Sequence, residues 1–278
     1  MSTFLTKLNS ACAANQSLVC VGLDPDPAQM PVADVGEFNR AIVEATADVV
    51  CAYKPNLAFY EALGLPGLKA LESTMEYIRQ ASPSAVVIGD AKRGDIGPSG
   101  EAYAKAMFQV WDFDAVTVNA WGGRDTIAPF LKDPARGVFV WCRGSNPGSA
   151  DLQDLLVKAD KGSVPLYQHL AQAVNQWNQN HNIGLVVGAT VPQQLAETRR
   201  LCPSMPFLIP GVGAQGGGLE AAVRNGVDAR GRLAIINSSR GIIYASRSPD
   251  FARAARREAS RLRNTINQVL ESQGVAWP

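Results

Sequence analysis

Short apolar runs recur along the chain: Leu18 to Leu23, Val49 to Tyr53, Ala85 to Ile88, Ala115 to Val118, Val138 to Trp141, Leu185 to Val187, Phe207 to Ile209 and Leu233 to Ile236. Their length suits strands, and their unbroken apolar character suits a parallel sheet covered on its outer face. Between them lie amphipathic stretches such as Glu37 to Thr46, Leu68 to Gln80, Ser99 to Phe108, Leu166 to Trp177 and Phe251 to Leu270, so the chain reads strand then helix eight times over. Eight such units in 278 residues favour a closed (β/α)8 TIM barrel, although the strand count alone leaves an open doubly wound sheet as the alternative. Phe4, Leu5, Leu8 and Cys12 at helical spacing predict an extra N-terminal helix before the first strand. With no linker or low-complexity tract in sight, residues 1–278 are read as a single domain. The stretch from Arg143 to Val164, rich in Gly, Ser and Pro, is expected to be a long irregular loop of the kind that carries function.

Composition narrows the class of partner. A net charge of +1 provides no global field for nucleic acid or an anionic membrane, which leaves a small molecule as the expected partner. No apolar run approaches the ~18 residues of a membrane span, and the N-terminus lacks a secretory apolar segment, so the expected location is the cytoplasm. The five cysteines form no CxxC pair and sit mostly in apolar runs, as reduced core residues do. Histidine is confined to His169, inside a predicted helix, and His181, before the sixth strand; neither is at a strand end where a metal or a nucleophile would need it. A His-rich metal site cannot be built from these two, and proton transfer then falls to lysine and aspartate.

Barrel enzymes place their sites at the C-terminal ends of the strands. The first strand ends at Asp24, the second at Lys54, and the third runs into Asp90, Ala91, Lys92, Arg93, Gly94 and Asp95. The i, i+2 spacing puts Asp90 and Lys92 on one face, so Asp24, Lys54, Asp90 and Lys92 should converge as alternating carboxylates and ammoniums. A surface ion-pair network would use the same residue types, but convergence from three adjacent strand ends favours catalysis.

The opposite side of the mouth is glycine-rich, with PGVGAQGGG from Pro210 to Gly218 after the seventh strand and NSSRG from Asn237 to Gly241 after the eighth. Loops after those strands bind phosphate in many barrels; glycines let backbone N–H groups approach an anion, and Arg240 adds a forked cation. Gly211, Gly213 and Gly216 also spell GxGxxG, a dinucleotide signature, but the following strand ends in Asn237 and Ser238 rather than in an acidic residue.

The motif DAKRGD, Asp90 to Asp95, resembles the DxKxxD signature of the orotidine 5'-monophosphate decarboxylase family. VGLDPDP, YKPN, RGSNPG, PGVGAQGG and NSSRG, in that order, are similar to its longer bacterial branch. The resemblance implies decarboxylation of orotidine 5'-monophosphate to UMP without cofactor, with Lys92 as proton donor to C6 and Asp90 beside the departing carboxylate. It further implies that Asp24 and Lys54 hold the ribose, that Ser145 reads the pyrimidine edge, that Pro210 lines the site, and that Gln215 and Arg240 bind phosphate. Asp95, Ile96 and Ser99 would reach the neighbouring subunit's site, which implies a homodimer with shared active sites. Asn56 and Asn119 close strands with no role assigned. Gly144, where this branch often carries a small hydroxyl residue, and Ser239, where other branches carry glycine, depart from the pattern.

Two other functions share parts of the pattern. The metal-dependent 3-keto-L-gulonate 6-phosphate decarboxylases and hexulose phosphate synthases also carry DxKxxD, but with an acidic ligand at the second strand end, where this chain has Lys54. A phosphosugar-binding regulator would need the glycine loops but not the full set of Lys54, Asp90, Lys92 and Asp95.

Overall fold

A computed structural model describes residues 3–159, 162–212 and 218–277. Eight parallel strands follow one another around a closed barrel: β1 (Val19–Leu23), β2 (Ala52–Pro55), β3 (Val86–Arg93), β4 (Ala115–Val118), β5 (Gly137–Arg143), β6 (Ile183–Val187), β7 (Phe207–Ile209) and β8 (Ala234–Ser238). The barrel closes where β1 meets β8, with Val19 opposite Ile236 and Cys20 opposite Asn237. Six of the eight strands are buried at every position, which is why they read as continuous apolar runs rather than alternating ones. The (β/α)8 barrel is therefore the fold, and the open sheet is not.

Helices wrap the outside by burying one stripe each. Val35–Thr46 begins on Asp34, whose carboxylate accepts the Glu37 N–H, and turns Phe38, Ile42 and Val43 inward. Leu166–Trp177 has the predicted bounds, and Phe251–Ser272 runs two residues beyond its prediction. His169 lies inside that first helix and His181 precedes β6, as the sequence indicates.

The predicted N-terminal helix is present as Phe4–Asn15 and caps the barrel at the N-terminal ends of the strands. Phe4 packs edge-on against Phe139 with ring centroids 5.8 Å apart. A side chain at Gly137, where β5 begins, would overlap the Phe4 ring, so glycine there lets the helix seat. Lys7 Nζ then reaches Asp114 Oδ1 at 2.5 Å, and Asp114 Oδ2 also accepts from Arg79 Nη1 and the Val87 N–H, both at 2.8 Å. One carboxylate thus fastens the helix, the outer layer and β3 together.

Two expectations need correction. The segment from Arg143 to Val164 is not irregular: it holds a 3-10 turn (Pro147–Ser149), a short helix (Ala150–Gln153) and an antiparallel pair, Leu156–Ala159 with Gly162–Pro165. Exposed and half-buried positions alternate along Leu156–Ala159, so this hairpin is not enclosed as the barrel strands are, although Leu155, Leu156 and Val157 are apolar. No α-helix follows β4; the 3-10 turns Arg124–Thr126 and Ala128–Leu131 take its place, in a segment where Gly122, Gly123 and Pro129 leave too few helix-forming positions. As expected, β3 continues past its apolar run through Asp90 and Lys92, ending at Arg93.

Candidate active site

A cavity of about 420 Å³ opens at the C-terminal ends of the strands. Of the predicted site residues, Asp24, Lys54, Asp90, Lys92, Ser145, Pro210 and Arg240 line it, and so does Asn56. Each arrives from a strand end or the loop that follows, so the barrel brings together positions 24 and 240 as readily as 90 and 92.

Four of these residues form a continuous chain of charge. Lys54 Nζ lies 3.9 Å from Asp24 and 2.9 Å from Oδ2 of Asp90, while Lys92 Nζ lies 2.6 Å from the other oxygen, Oδ1. Burial of Lys54 opposes its charge, but the Asp90 and Asp24 carboxylates more than compensate and hold its pKa above the ordinary lysine value. Burial likewise works against ionised Asp90; Lys54 and Lys92 outweigh it and hold the carboxyl well below its usual range. Oδ1 of Asp24 is buried with Lys54 only at ion-pair distance and no hydrogen bond within the protein, leaving an acceptor for a ligand hydroxyl. The backbone of Asp24 is pinned by Tyr244, whose hydroxyl donates to the Asp24 carbonyl at 2.9 Å.

The local backbone explains how Lys92 is aimed. β3 pairs Gly89 with Val116 and next Arg93 with Val118, so Asp90, Ala91 and Lys92 stand opposite Thr117 alone. Lys92 adopts φ +47°, a left-handed conformation that costs an L residue about 1 kcal/mol because its Cβ crowds the following carbonyl. This bulge, rather than a regular pleat, brings both charged side chains to the cavity.

The β5 loop is held by a buried guanidinium. Arg143 bonds the Gly144 carbonyl at 3.2 Å and Asp154 Oδ2 at 2.9 Å, and also bonds Ser149, while the Gly144 N–H donates to Gln153 Oε1 at 2.8 Å. A Cβ on Gly144 would stand 2.6 Å from Asn146 Oδ1, so the departure to glycine fits this fold of the loop. Ser145 sits in the cavity wall because Gly188 and Gly211 lack side chains: added Cβ atoms would fall 2.7 and 3.2 Å from its Cβ. Gly211 also has φ +93°, which favours glycine on its own.

Asp95, Ile96 and Ser99 do not line this cavity. Asp95 caps the turn, with Oδ1 accepting the Ile96 N–H at 2.8 Å, while Ile96 and Ser99 are exposed at the start of the helix Gly97–Lys105. Gln215 lies outside the described residues, as do Gly213 and Gly216 of the GxGxxG spelling. Asn119 stays out of the cavity and bonds the Trp121 N–H at 3.0 Å. Thr117, Arg143, Asn146 and Asn237 also line the cavity and were not among the predicted residues. Applying the strand-end rule to the fifth strand would have found Arg143; Thr117 lies inside an apolar run and gives no such signal.

A closed barrel with a charged, partly enclosed cavity at this end is the arrangement of a small-molecule enzyme. Residues 17–257 match the Orotidine 5'-phosphate decarboxylase / HUMPS family, and the chain belongs to that family. It is 49% identical over 273 residues to the orotidine 5'-phosphate decarboxylase of Cupriavidus metallidurans, across 96% of this chain and 98% of the relative. With the enzyme of the same name from Dehalococcoides mccartyi it shares 48% over 265 residues, covering 95% and 97%. The structure of Leishmania donovani OMP decarboxylase aligns with a TM-score of 0.84 at 36% identity, covering 99% of this chain and 100% of that one.

Proposed function

We propose that the protein decarboxylates orotidine 5'-monophosphate to UMP and CO2, the last step of de novo UMP synthesis, and that the Lys54–Asp90–Lys92 chain performs the chemistry. The observation that carries this reading is Asp90 clamped between two ammoniums inside the cavity of a member of this family.

The chemistry follows from the charges. Asp90 is kept ionised, so a substrate carboxylate set beside it meets a fixed negative charge and is relieved by leaving as CO2. The electron pair stays on C6. Lys92, whose side chain is the most accessible of the chain, faces that developing carbanion, stabilises it and transfers a proton from Nζ to C6; solvent then restores the ammonium. Lys54, buried and held protonated, keeps Asp90 in place and, with Asp24, offers a donor and an acceptor to the ribose hydroxyls. Ser145 addresses the pyrimidine edge, Pro210 supports it, and Arg240 with Gln215 takes the phosphate, whose binding far from C6 helps to close the site.

Asp95, Ile96 and Ser99 serve the neighbouring subunit in a homodimer with shared sites; their position outside the cavity of their own chain supports this. Residues 1–278 act as one catalytic domain per subunit, located in the cytoplasm. The direct test is to add orotidine 5'-monophosphate and follow the loss of its ultraviolet absorbance; no loss at high enzyme concentration sinks the assignment.

A further inference from the structure

On the β4 side, the bulge in β3 leaves Ala91 and Lys92 without ladder partners, and one side chain replaces them. Thr117 Oγ1 accepts the N–H groups of Ala91 and Lys92, each at 3.0 Å. A hydroxyl has two acceptor lone pairs and one proton, so both lone pairs are taken and the proton is left for a single acceptor. That acceptor is Oδ1 of Asp90, at 2.8 Å. The direction of the bond is thereby fixed by counting. Asp90 Oδ1 receives Thr117 and Lys92, and Oδ2 receives Lys54.

We infer that Thr117 is a positioning residue of the decarboxylation, acting through the Asp90 carboxylate and the Lys92 backbone to hold the ammonium in the direction of C6. The inference rests on the reading of Lys92 as the proton donor. Thr117 is only 1% exposed, so water does not readily take over its three bonds. Without the hydroxyl, two consecutive N–H groups in an unpaired stretch of β3 lose their acceptor, and the left-handed turn at Lys92 loses its anchor. At the same time Oδ1 of Asp90 keeps only Lys92, which draws the ammonium onto the carboxylate and away from the substrate. Thr117 touches no charge that binds the ribose or the phosphate, so ligand affinity is not its task.

The test compares Thr117→Val, which keeps the shape and loses the hydroxyl, with Thr117→Ser, which keeps the hydroxyl. Misplacing a reacting group by about 1 Å costs roughly 100-fold, so Thr117→Val is expected to lose ~100-fold in kcat with UMP affinity within ~2-fold of wild type. Thr117→Ser should stay within about 5-fold of wild type in kcat, because the same three bonds can form. If Thr117→Val does not accumulate as folded protein, Thr117→Ala against Thr117→Ser makes the comparison with a single oxygen between the two. Wild-type kcat in the variant lacking the hydroxyl, a parallel fall in kcat and UMP affinity, or a serine variant as impaired as the valine one would overturn the role. Wild-type turnover reads the parent assignment separately: an inactive wild type overturns both, whereas an active wild type with an unaffected valine variant overturns only the positioning role.

Discussion

Lys54 reaches Asp90 from the neighbouring strand, with Nζ 2.9 Å from Oδ2, and both side chains are almost wholly removed from solvent. The pair survives burial because it is part of a longer alternation: Asp24 stands on the far side of Lys54, and Lys92 on the far side of Asp90. Each charge has an opposite neighbour, which is the condition under which buried ions are tolerable.

The first prediction concerns acid. Asp90 and Asp114 both have pKa values lowered below the ordinary carboxylate value, so each contributes stability that is complete above the unfolded pKa, roughly 4, and is lost as pH falls through the lower folded value. Urea midpoints should therefore be flat near neutrality and drop steeply below about pH 4. Asp114→Asn separates the two sites: it unfastens Lys7 and Arg79, both partly able to reach water, and should cost about 2 kcal/mol while leaving kcat intact. An unchanged urea midpoint in that variant would remove Asp114 from the account of stability.

Binding and turnover should separate by residue. Arg240→Ala is expected to weaken the phosphate-bearing substrate by about 2 kcal/mol, the size of a charge-assisted contact, and Lys92→Ala to abolish turnover while UMP still binds. Calorimetric titration with UMP alongside steady-state kinetics distinguishes them. Undiminished affinity in the Arg240 variant would place the phosphate elsewhere.

Activity should survive exhaustive chelation, because Lys54 occupies the strand end where the metal-dependent relatives carry an acidic ligand. Loss of turnover on chelation, with recovery on adding Mg2+, would transfer the protein to that branch of the family.

The shared-site proposal predicts complementation. Lys92→Ala and Asp95→Ala proteins should each be nearly inactive, yet subunit exchange between them should restore activity. In a mixed dimer one site collects both lesions and the other neither; half the dimers are mixed, so recovery should approach roughly a quarter of wild type. If exchange is verified and nothing is regained, Asp95 acts within its own chain.

The barrel and most of the charged site are legible in the sequence because apolar runs report buried strands and the fold dictates that site residues follow them. Asp24, Lys54, Asp90 and Lys92 were reachable by that rule alone. What stayed hidden depends on interactions without a linear signature. Thr117 looks like one more β-branched strand residue until three residues of β3 are found opposite it. The hairpin at Leu156–Ala159 carries only a short apolar stretch amid Gly, Ser and charged residues, and the absent helix after β4 leaves the barrel complete because short 3-10 turns span the same gap. Asp95, Ile96 and Ser99 came from resemblance, and nothing in their own chain's cavity would have nominated them.

The seam between β1 and β8 also sets an order in time. Val19 has to wait for Ile236, and Lys7 for Asp114, so the segments that leave the ribosome first are the ones whose partners arrive much later. A nascent chain halted before residue 234 holds Asp24, Lys54, Asp90 and Lys92 but has an open edge on β1. The last strand delivers both the closure and, two residues beyond it, Arg240. A chain halted there therefore lacks both the closed ring of strand ends and the part of the cavity wall that Asn237 to Gly241 supply.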